Sequence, residues 1–276
     1  ATYGRNDITN TNTFASVYGG ILAALTSNDA DGVVANIPDV TAVPYFTTVP
    51  YNPVPLDAPT AGFLNSASAY GAYNGGLAQL NGLGLLSDEE LAKRTINFSA
   101  GASNAVVIFD EDLTDLTIYN PALTNMRQAT ADDLIVLTAR SFIGTLADPN
   151  NPSSVNGIGV PLADKWVLTP EEQLSVTNAV TEYNQVIATL AAQYNLAIVD
   201  ANAYLNNVAT TGVSLSDGSS VTATYATGGA FSLDGVHLSP RGYALVANLF
   251  IKSINTKYGS DLPGVNPLDY KGLYIN

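Results

Sequence analysis

The stretch TPEEQLSVTNAVTEYNQVIATLAAQYNLAIVD, residues 169 to 200, decides the fold class. Its first four letters, residues 169 to 172, form a capping box with proline at the first helical position. Apolar residues then recur every three or four positions, which predicts an amphipathic helix to about residue 194. Residues 196 to 200 follow at once as an apolar, β-branched run, which predicts a buried strand.

The same order of elements occurs near the start of the chain. A helix capped by Thr13 and ending near Leu25 precedes residues 33 to 37, VVANI, a second run with the composition of a buried strand. The last helix begins at Ser239 and Pro240. Helices alternating with buried strands predict a parallel sheet with helices on its faces.

The middle of the chain has a different pattern. Five prolines between residues 43 and 59 predict an extended surface loop. Residues 61 to 86 are predicted to be helical in part. Residues 96 to 98, 105 to 109 and 134 to 137 are predicted strands.

Composition excludes several classes of protein. Apolar residues make up 46% of the 276 residues and charged residues 12%, which is typical of a globular chain rather than a disordered one. The formal net charge of −14 disfavours nucleic acid as a partner. The chain has no cysteine, and no apolar run approaches the roughly 18 residues of a membrane span.

His237 is the only histidine, so any histidine-dependent chemistry must use it and a multi-histidine metal site is excluded. Asp234 lies three residues before it, in a glycine-containing turn just ahead of the last helix. A serine hydrolase needs an acid that orients an imidazole, so that the other ring nitrogen can take the serine proton and return it to the leaving group. Asp234 and His237 are the residue types for those two roles.

DGVHLSPRGY, residues 234 to 243, resembles the last signature block of the SGNH (GDSL) hydrolases, in which an Asp-x-x-His pair precedes the terminal helix. Residues 33 to 50, 132 to 141, 159 to 165 and 198 to 202 are similar to secreted members of the Bacteroidetes type. The likeness therefore covers most of the chain.

The resemblance implies a three-layer α/β/α, flavodoxin-like SGNH fold with a parallel sheet. Residues 1 to 276 would form one domain, with an insertion of roughly residues 47 to 165 that shapes the cleft. The implied activity is that of a carboxylic-ester hydrolase, an esterase, lipase or acylhydrolase that uses a Ser-His-Asp mechanism without cofactor or metal. Its substrate would be a small-molecule, lipid or glycan ester, and its location extracellular, periplasmic or associated with the outer membrane.

The family's Gly-Asp-Ser nucleophile motif does not occur in these residues. Ser103 and Ser219, which have glycine neighbours, are interpreted as turn serines. Asn6, in the sequence Gly-Arg-Asn-Asp, fits the family's Gly-x-Asn-Asp block, and the resemblance implies that it donates to the oxyanion; alternatively, it belongs to a surface loop just after the true block. The only methionine is Met126, so the chain starts at a processed terminus or at a cut. We expect an N-terminal segment with the nucleophile to be needed for activity, and this chain alone to be inactive.

Two other classes of protein stay open. One is a non-catalytic binding or structural module of the bacterial envelope, built on the same fold and binding glycan or lipid. The other is an adhesin-like protein whose acidic residues 110 to 115 bind calcium, although a solvated acidic loop accounts for the same letters. Tyr45, Phe46 and Tyr51 could line an acyl or aryl pocket, or simply anchor the loop.

Overall fold

The structure, a computed structural model, describes residues 7 to 272 and shows a mixed α/β protein with short parallel and antiparallel sheets. Within this range the α-helices are α1 Thr11–Leu25, α2 Pro44–Thr47, α3 Ala58–Leu64, α4 Tyr70–Gly82, α5 Asp88–Arg94, α6 Pro170–Gln193, α7 Ala201–Thr210 and α8 Pro240–Tyr258. The strands are β1 Val33–Ala35, β2 Val54–Leu56, β3 Gly101–Asn104, β4 Val107–Phe109, β5 Met126–Gln128, β6 Leu134–Ile135, β7 Val167–Leu168, β8 Ala197–Val199, β9 Val213–Ser214 and β10 Ser220–Val221. None of the helices in the described range is long and apolar enough to cross a membrane.

The described residues divide into two compact units. The first unit comprises residues 49 to 171, and the second comprises residues 7 to 48 and 172 to 272. The insertion predicted at roughly residues 47 to 165 is close in extent to the first unit, but its origin as an insertion into one SGNH-like domain stays a prediction.

The second unit contains the parallel pairing that the sequence predicts. β1 pairs with β8 in parallel, with Val34 opposite Ile198. Val34 packs with Leu22 of α1 and Ala191 of α6, so that helices cover the sheet. A second cluster is centred on Val208 and Phe231.

The first unit is built from antiparallel pairs. β2 pairs with β3, β4 with β5, and β6 with β7. Its core includes fully buried apolar side chains of these strands and of the segments between them, among them Leu77, Ile96, Val106, Val107, Ile108, Leu116, Ile135 and Leu162. Two buried cations, Arg94 and Arg127, lie in this core.

Several sequence predictions are confirmed and others are wrong. The long helix at residues 169 to 194 is α6 and the last helix is α8, which ends at Gly259 in the left-handed conformation. The loop predicted over residues 43 to 59 instead contains α2 and β2. α1 begins three residues before the predicted start, because the side chain of Asn10, rather than Thr13, caps it.

The strand predicted at residues 96 to 98 does not form. Asn74 accepts a hydrogen bond from the backbone N–H of Ile96 and donates to its carbonyl, at 3.0 and 2.7 Å. Asn65 makes the same pair of bonds with Phe98, at 2.9 and 2.7 Å. Two asparagine side chains therefore satisfy the backbone groups that a neighbouring strand would otherwise satisfy.

Candidate active site

The predicted acid and histidine lie in a tight turn directly before α8. The backbone N–H of Ser232 donates to the carbonyl of His237 at 2.8 Å, and Gly235 has a φ of 74°. Glycine adopts this left-handed conformation without the steric cost that a Cβ would bring. The turn thus returns the chain on itself and brings both side chains to one side.

Asp234 and His237 form a hydrogen-bonded pair. Nδ1 of His237 lies 2.7 Å from Oδ2 of Asp234. The other oxygen, Oδ1, accepts from the backbone N–H groups of Val236 and His237, each at 2.9 Å, and from Oγ of Ser232 at 2.7 Å. The carboxylate is therefore fixed from one side and faces the imidazole with the other.

These contacts also fix the charge of the acid. The hydrogen bonds from Ser232, from the Val236 N–H and from His237 hold the pKa of Asp234 well below its usual range. An ionised carboxylate can only accept, so the proton between the two groups belongs to Nδ1 of His237. In the neutral imidazole Nε2 is then the nitrogen with a free lone pair, as a general base requires.

The pair is accessible to solvent. The side chain of His237 is 72% exposed and that of Asp234 is 49% exposed. The acid of a serine hydrolase is usually buried, and Asp234 differs in this respect. The carboxylate is oriented by its own turn rather than by a surrounding core.

Two further elements hold the turn in place. The backbone N–H of Tyr45, in α2, donates to the carbonyl of Gly235 at 2.9 Å. Ser239, the N-cap of α8, is fully buried; its Oγ accepts from the N–H of Gly242 at 3.0 Å and donates to the carbonyl of Gly229 at 2.6 Å. The start of α8 and the segment after β1 thus both position the Asp234–His237 turn.

A second polar cluster, which the sequence analysis does not single out as a site, lies at the carboxyl ends of β1 and β8. Nδ2 of Asn36 donates to Oδ1 of Asp200 at 2.8 Å, and Oδ1 of Asn36 accepts from the N–H of Asn202 at 2.8 Å. The Ala203 N–H and then Asn36 lower the pKa of Asp200. Its signal in the sequence is a polar residue near the end of each of two predicted strands, and its bonds join the ends of β1 and β8.

The remaining candidates fall in different places. Asn6 lies outside the described residues. Ser219 is in the turn between β9 and β10 and donates to Oδ1 of Asp217 at 2.7 Å, as expected of a turn serine. Ser103 belongs to β3, so its interpretation as a turn serine is wrong.

The aromatic residues proposed for an acyl pocket do not lie in one unit. The rings of Tyr45 and Phe46 meet edge to face at 5.1 Å in the second unit, whereas Tyr51 belongs to the first. Asp110, in the acidic loop considered for calcium, is instead buried against Arg127, with 2.5 Å between its Oδ2 and Nε of Arg127. The charge of Asp110, the first aspartate of that loop, is therefore paired with the guanidinium of Arg127.

Comparisons of the chain with protein-family models, with curated proteins and with solved structures find no match. A proposal of function therefore depends on the residues of the turn and on their geometry.

Proposed function

We propose that this chain provides the acid and histidine of a carboxylic-ester hydrolase of the SGNH type. The observation that carries the proposal is the 2.7 Å contact between Nδ1 of His237 and Oδ2 of Asp234, combined with the three donors that fix the other carboxylate oxygen. This arrangement orients the imidazole and leaves Nε2 toward solvent, where a serine and an ester can approach.

In the proposed reaction Nε2 of His237 takes the proton of a serine hydroxyl as its oxygen attacks the ester carbonyl. The tetrahedral intermediate collapses, the bond to the alcohol breaks, and His237 returns the proton to the departing alcohol. Water then attacks the acyl-serine by the same route and releases the acid. Asp234 stays ionised throughout and stabilises the imidazolium.

The serine and the oxyanion donors are the further parts of the proposal. We propose that the serine lies in a part of the complete protein outside these 276 residues, because they contain no Gly-Asp-Ser motif. Asn6 keeps its proposed role as an oxyanion donor. The β1–β8 pair with its covering helices supports the finer proposal of a three-layer, flavodoxin-like domain with an insertion.

The substrate class follows from the resemblance and from the charge. We propose an uncharged ester of a small alcohol, a lipid or a glycan, since a net charge of −14 would repel a polyanion. A secreted or envelope location fits the similar Bacteroidetes-type sequences. Neither a metal nor an organic cofactor enters the proposed mechanism.

A second candidate function, a non-catalytic envelope module that binds glycan or lipid, is favoured by one observation. The imidazole is 72% exposed, whereas the oriented histidine of a serine hydrolase usually lies in a shaped cleft. The two candidates differ in one respect that can be measured, which is turnover of an ester.

The test is an esterase assay on the translation product of the longest reading frame that contains these residues, with p-nitrophenyl esters of short and long acyl chains. We expect His237→Ala to remove activity and Asp234→Asn to lower kcat by on the order of 10²- to 10⁴-fold with little change in KM. Asp217→Asn is the matched control, because Asp217 also accepts from the backbone and hydroxyl of a turn serine but has no histidine beside it. An inert parent protein would favour the binding module. Hydrolysis that survives in His237→Ala would show that the Asp234–His237 pair does not carry the reaction.

A further inference from the structure

Two clefts lie side by side in the first unit and share part of their walls. The first cleft has a volume of about 510 Å³ and the second a volume of about 580 Å³. Phe63, Leu64 and Ser153 line both of them. Small-molecule sites usually have volumes of about 300 to 1,000 Å³. Each cleft is therefore large enough to hold part of a ligand, and both are formed by residues of one unit.

Two buried tyrosines of α4 hold the wall of the first cleft. The hydroxyl of Tyr70 donates to the carbonyl of Ile158. The hydroxyl of Tyr73 donates to the carbonyl of Met126 at 2.8 Å and accepts from Nε of Arg94 at 3.1 Å. Burial raises the pKa of Tyr70, so its hydroxyl stays neutral and keeps its proton for this bond. The helix is thus tied to the segments that complete the wall, and the cleft is formed before a ligand enters.

The two clefts are free of charge. None of the described residues that line them is acidic or basic, although the chain has 24 acidic and 10 basic side chains. A carboxylate or phosphate that entered either cleft would lose its hydration without meeting a cation, which is costly. The composition of the walls therefore favours an uncharged ligand.

The first cleft carries polar groups that the protein itself does not use. Within residues 7 to 272, the hydroxyls of Ser68 and Ser153 and the Nδ2 amides of Asn120 and Asn151 make no hydrogen bond to protein. All four residues are exposed. Hydroxyl and amide groups of this kind can donate to the ether, ester or hydroxyl oxygens of a ligand.

The second cleft is almost entirely apolar. Thr60 and Ser153 provide its only hydroxyls among the described lining residues, and the remaining side chains are aliphatic, proline or Phe63. The hydroxyls of a sugar would stay unpaired against such walls, whereas a hydrocarbon chain loses nothing there and gains from leaving water. Phe63, which is 45% exposed between the two clefts, offers its ring to a chain that crosses from one to the other.

We infer that the first unit binds an uncharged lipid across these two clefts. The alkyl or acyl chain lies in the second cleft and passes over Phe63, and the oxygens of the head group lie against the serine and asparagine side chains of the first cleft. This site goes beyond the proposed ester hydrolase and does not depend on it, since binding requires neither His237 nor a serine nucleophile.

The test is a calorimetric titration of the 276-residue chain with 1-O-decylglycerol below its micelle concentration. This probe has an ether in place of an ester, so no hydrolysis can occur. We expect it to bind at least about tenfold more tightly than decanoate at about pH 8, because the ionised carboxylate meets no cation in either cleft. Binding should have a negative heat-capacity change, the marker of apolar burial, and glycerol alone should give no heat. No binding of the ether, or equal affinity for decanoate, would overturn the inference.

Two variants test the shared wall. Phe63→Ala should weaken binding of 1-O-decylglycerol by about tenfold or more, because it removes the ring that both clefts use. Ser153→Phe places a ring in the same shared wall and should weaken binding as strongly. The matched control is Phe109→Ala: Phe109 is 40% exposed in β4 of the same unit, lines neither cleft, and should change the affinity by less than about twofold. Unchanged affinity in both cleft variants would place the ligand elsewhere and overturn the inference.

A measurement on the unaltered chain covers the case in which a variant does not fold. Nuclear Overhauser contacts are expected between the decyl protons and the ring of Phe63 and the methyl groups of Leu64 and Val155. Contacts that appear only with other residues would overturn the inference. A dimer in sedimentation that 1-O-decylglycerol dissociates would assign the clefts to a second copy of the chain and overturn it as well.

The outcomes separate this inference from the proposed function. If the 276-residue chain binds the ether and the longer protein, translated from the longest reading frame, hydrolyses no ester, the ester hydrolase alone is disproved. If the longer protein hydrolyses esters but the chain does not bind the ether, the lipid site alone is disproved.

Discussion

The two oxygens of the Asp234 carboxylate have separate sets of partners. Oδ1 takes three donors from its own turn, and Oδ2 takes only His237. An aspartate oriented in this way can hold an imidazole although it is half exposed, because the turn rather than a surrounding core fixes its geometry. The residue types could be predicted from the sequence, but the donors to Oδ1 depend on the φ of Gly235, which only the folded turn defines.

The same contacts predict how stability depends on pH. The pKa of Asp234 is lowered in the folded protein, so its charged form stabilises the fold fully above its ordinary pKa of about 4, and this contribution is lost as the pH falls through the depressed value. Asp234→Asn should therefore have a lower free energy of unfolding than the wild type at about pH 5. The difference in the free energy of unfolding between the two proteins, measured by urea titration, should narrow as the pH falls below about 4. A gap that widens toward low pH would contradict this assignment of charge.

Gly235→Ala tests the turn itself. An alanine forced to a φ of 74° costs about 1 to 2 kcal/mol. Gly218→Ala is the matched control, since Gly218 has a φ of 84° in the turn between β9 and β10 and open space where a Cβ would stand. Both variants should lose similar stability in thermal unfolding, but only Gly235→Ala should lower ester hydrolysis by the longer protein. Equal activity in the two variants would show that the turn geometry does not matter to the site.

In the first unit, the loss of Arg127 should lower the free energy of unfolding strongly. Arg127 is buried, with Asp110 at 2.5 Å from Nε and Asp133 at 2.7 Å from Nη1. Burial raises the pKa of Asp110, but the bond to Arg127 and its charge outweigh this and leave the pKa low. Arg127→Met removes the cation that pairs with the buried carboxylates of Asp110 and Asp133. We expect it to destabilise the unit by about 3 to 5 kcal/mol. Exposed Arg140→Met should cost less than about 0.5 kcal/mol in the same urea titration.

The stability of helix α8 depends on its N-cap residue, Ser239, more than that of an ordinary helix does. Ser239→Ala removes the cap of the Gly242 N–H and also leaves the buried carbonyl of Gly229 without its donor, so we expect a loss of about 2 to 3 kcal/mol. The control is Asn10→Ala, which removes one exposed capping bond from α1 and should cost about 1 kcal/mol. Equal losses in thermal unfolding would mean that the bond to Gly229 contributes nothing.

The elements also show how far sequence reasoning extends. α6, α8 and the parallel strands β1 and β8 could be predicted because their caps, periodicity and composition are local signals. Residues 96 to 98 have the composition of a strand, but side chains that are distant in the sequence take its backbone bonds, and no local pattern contains that information. The partial burial of β1 could not be predicted from its three residues either, because burial depends on which elements lie beside the strand.

For the whole molecule, each unit has its own core, and each has its own optical signal. Trp166 is the only tryptophan, and its ring stacks on Phe142 at 4.7 Å within the first unit. The helices α1, α6 and α8, of 15, 24 and 19 residues, dominate the helical circular dichroism and belong almost wholly to the second unit. One denaturant titration followed by both signals therefore reports on the two units separately.

We expect the two signals to give different midpoints, since each unit has its own core. The variants sharpen the test: Arg127→Met should shift the fluorescence midpoint and leave the circular dichroism midpoint nearly unchanged, whereas Ser239→Ala should do the reverse. With slopes of about 1 to 3 kcal/mol per molar urea, the expected losses of about 2 to 5 kcal/mol move a midpoint by about 1 M or more, far beyond the error of the measurement. Coincident transitions that move together in both variants would mean that the chain unfolds as one cooperative domain, and the division into two units would then describe geometry without energetic independence.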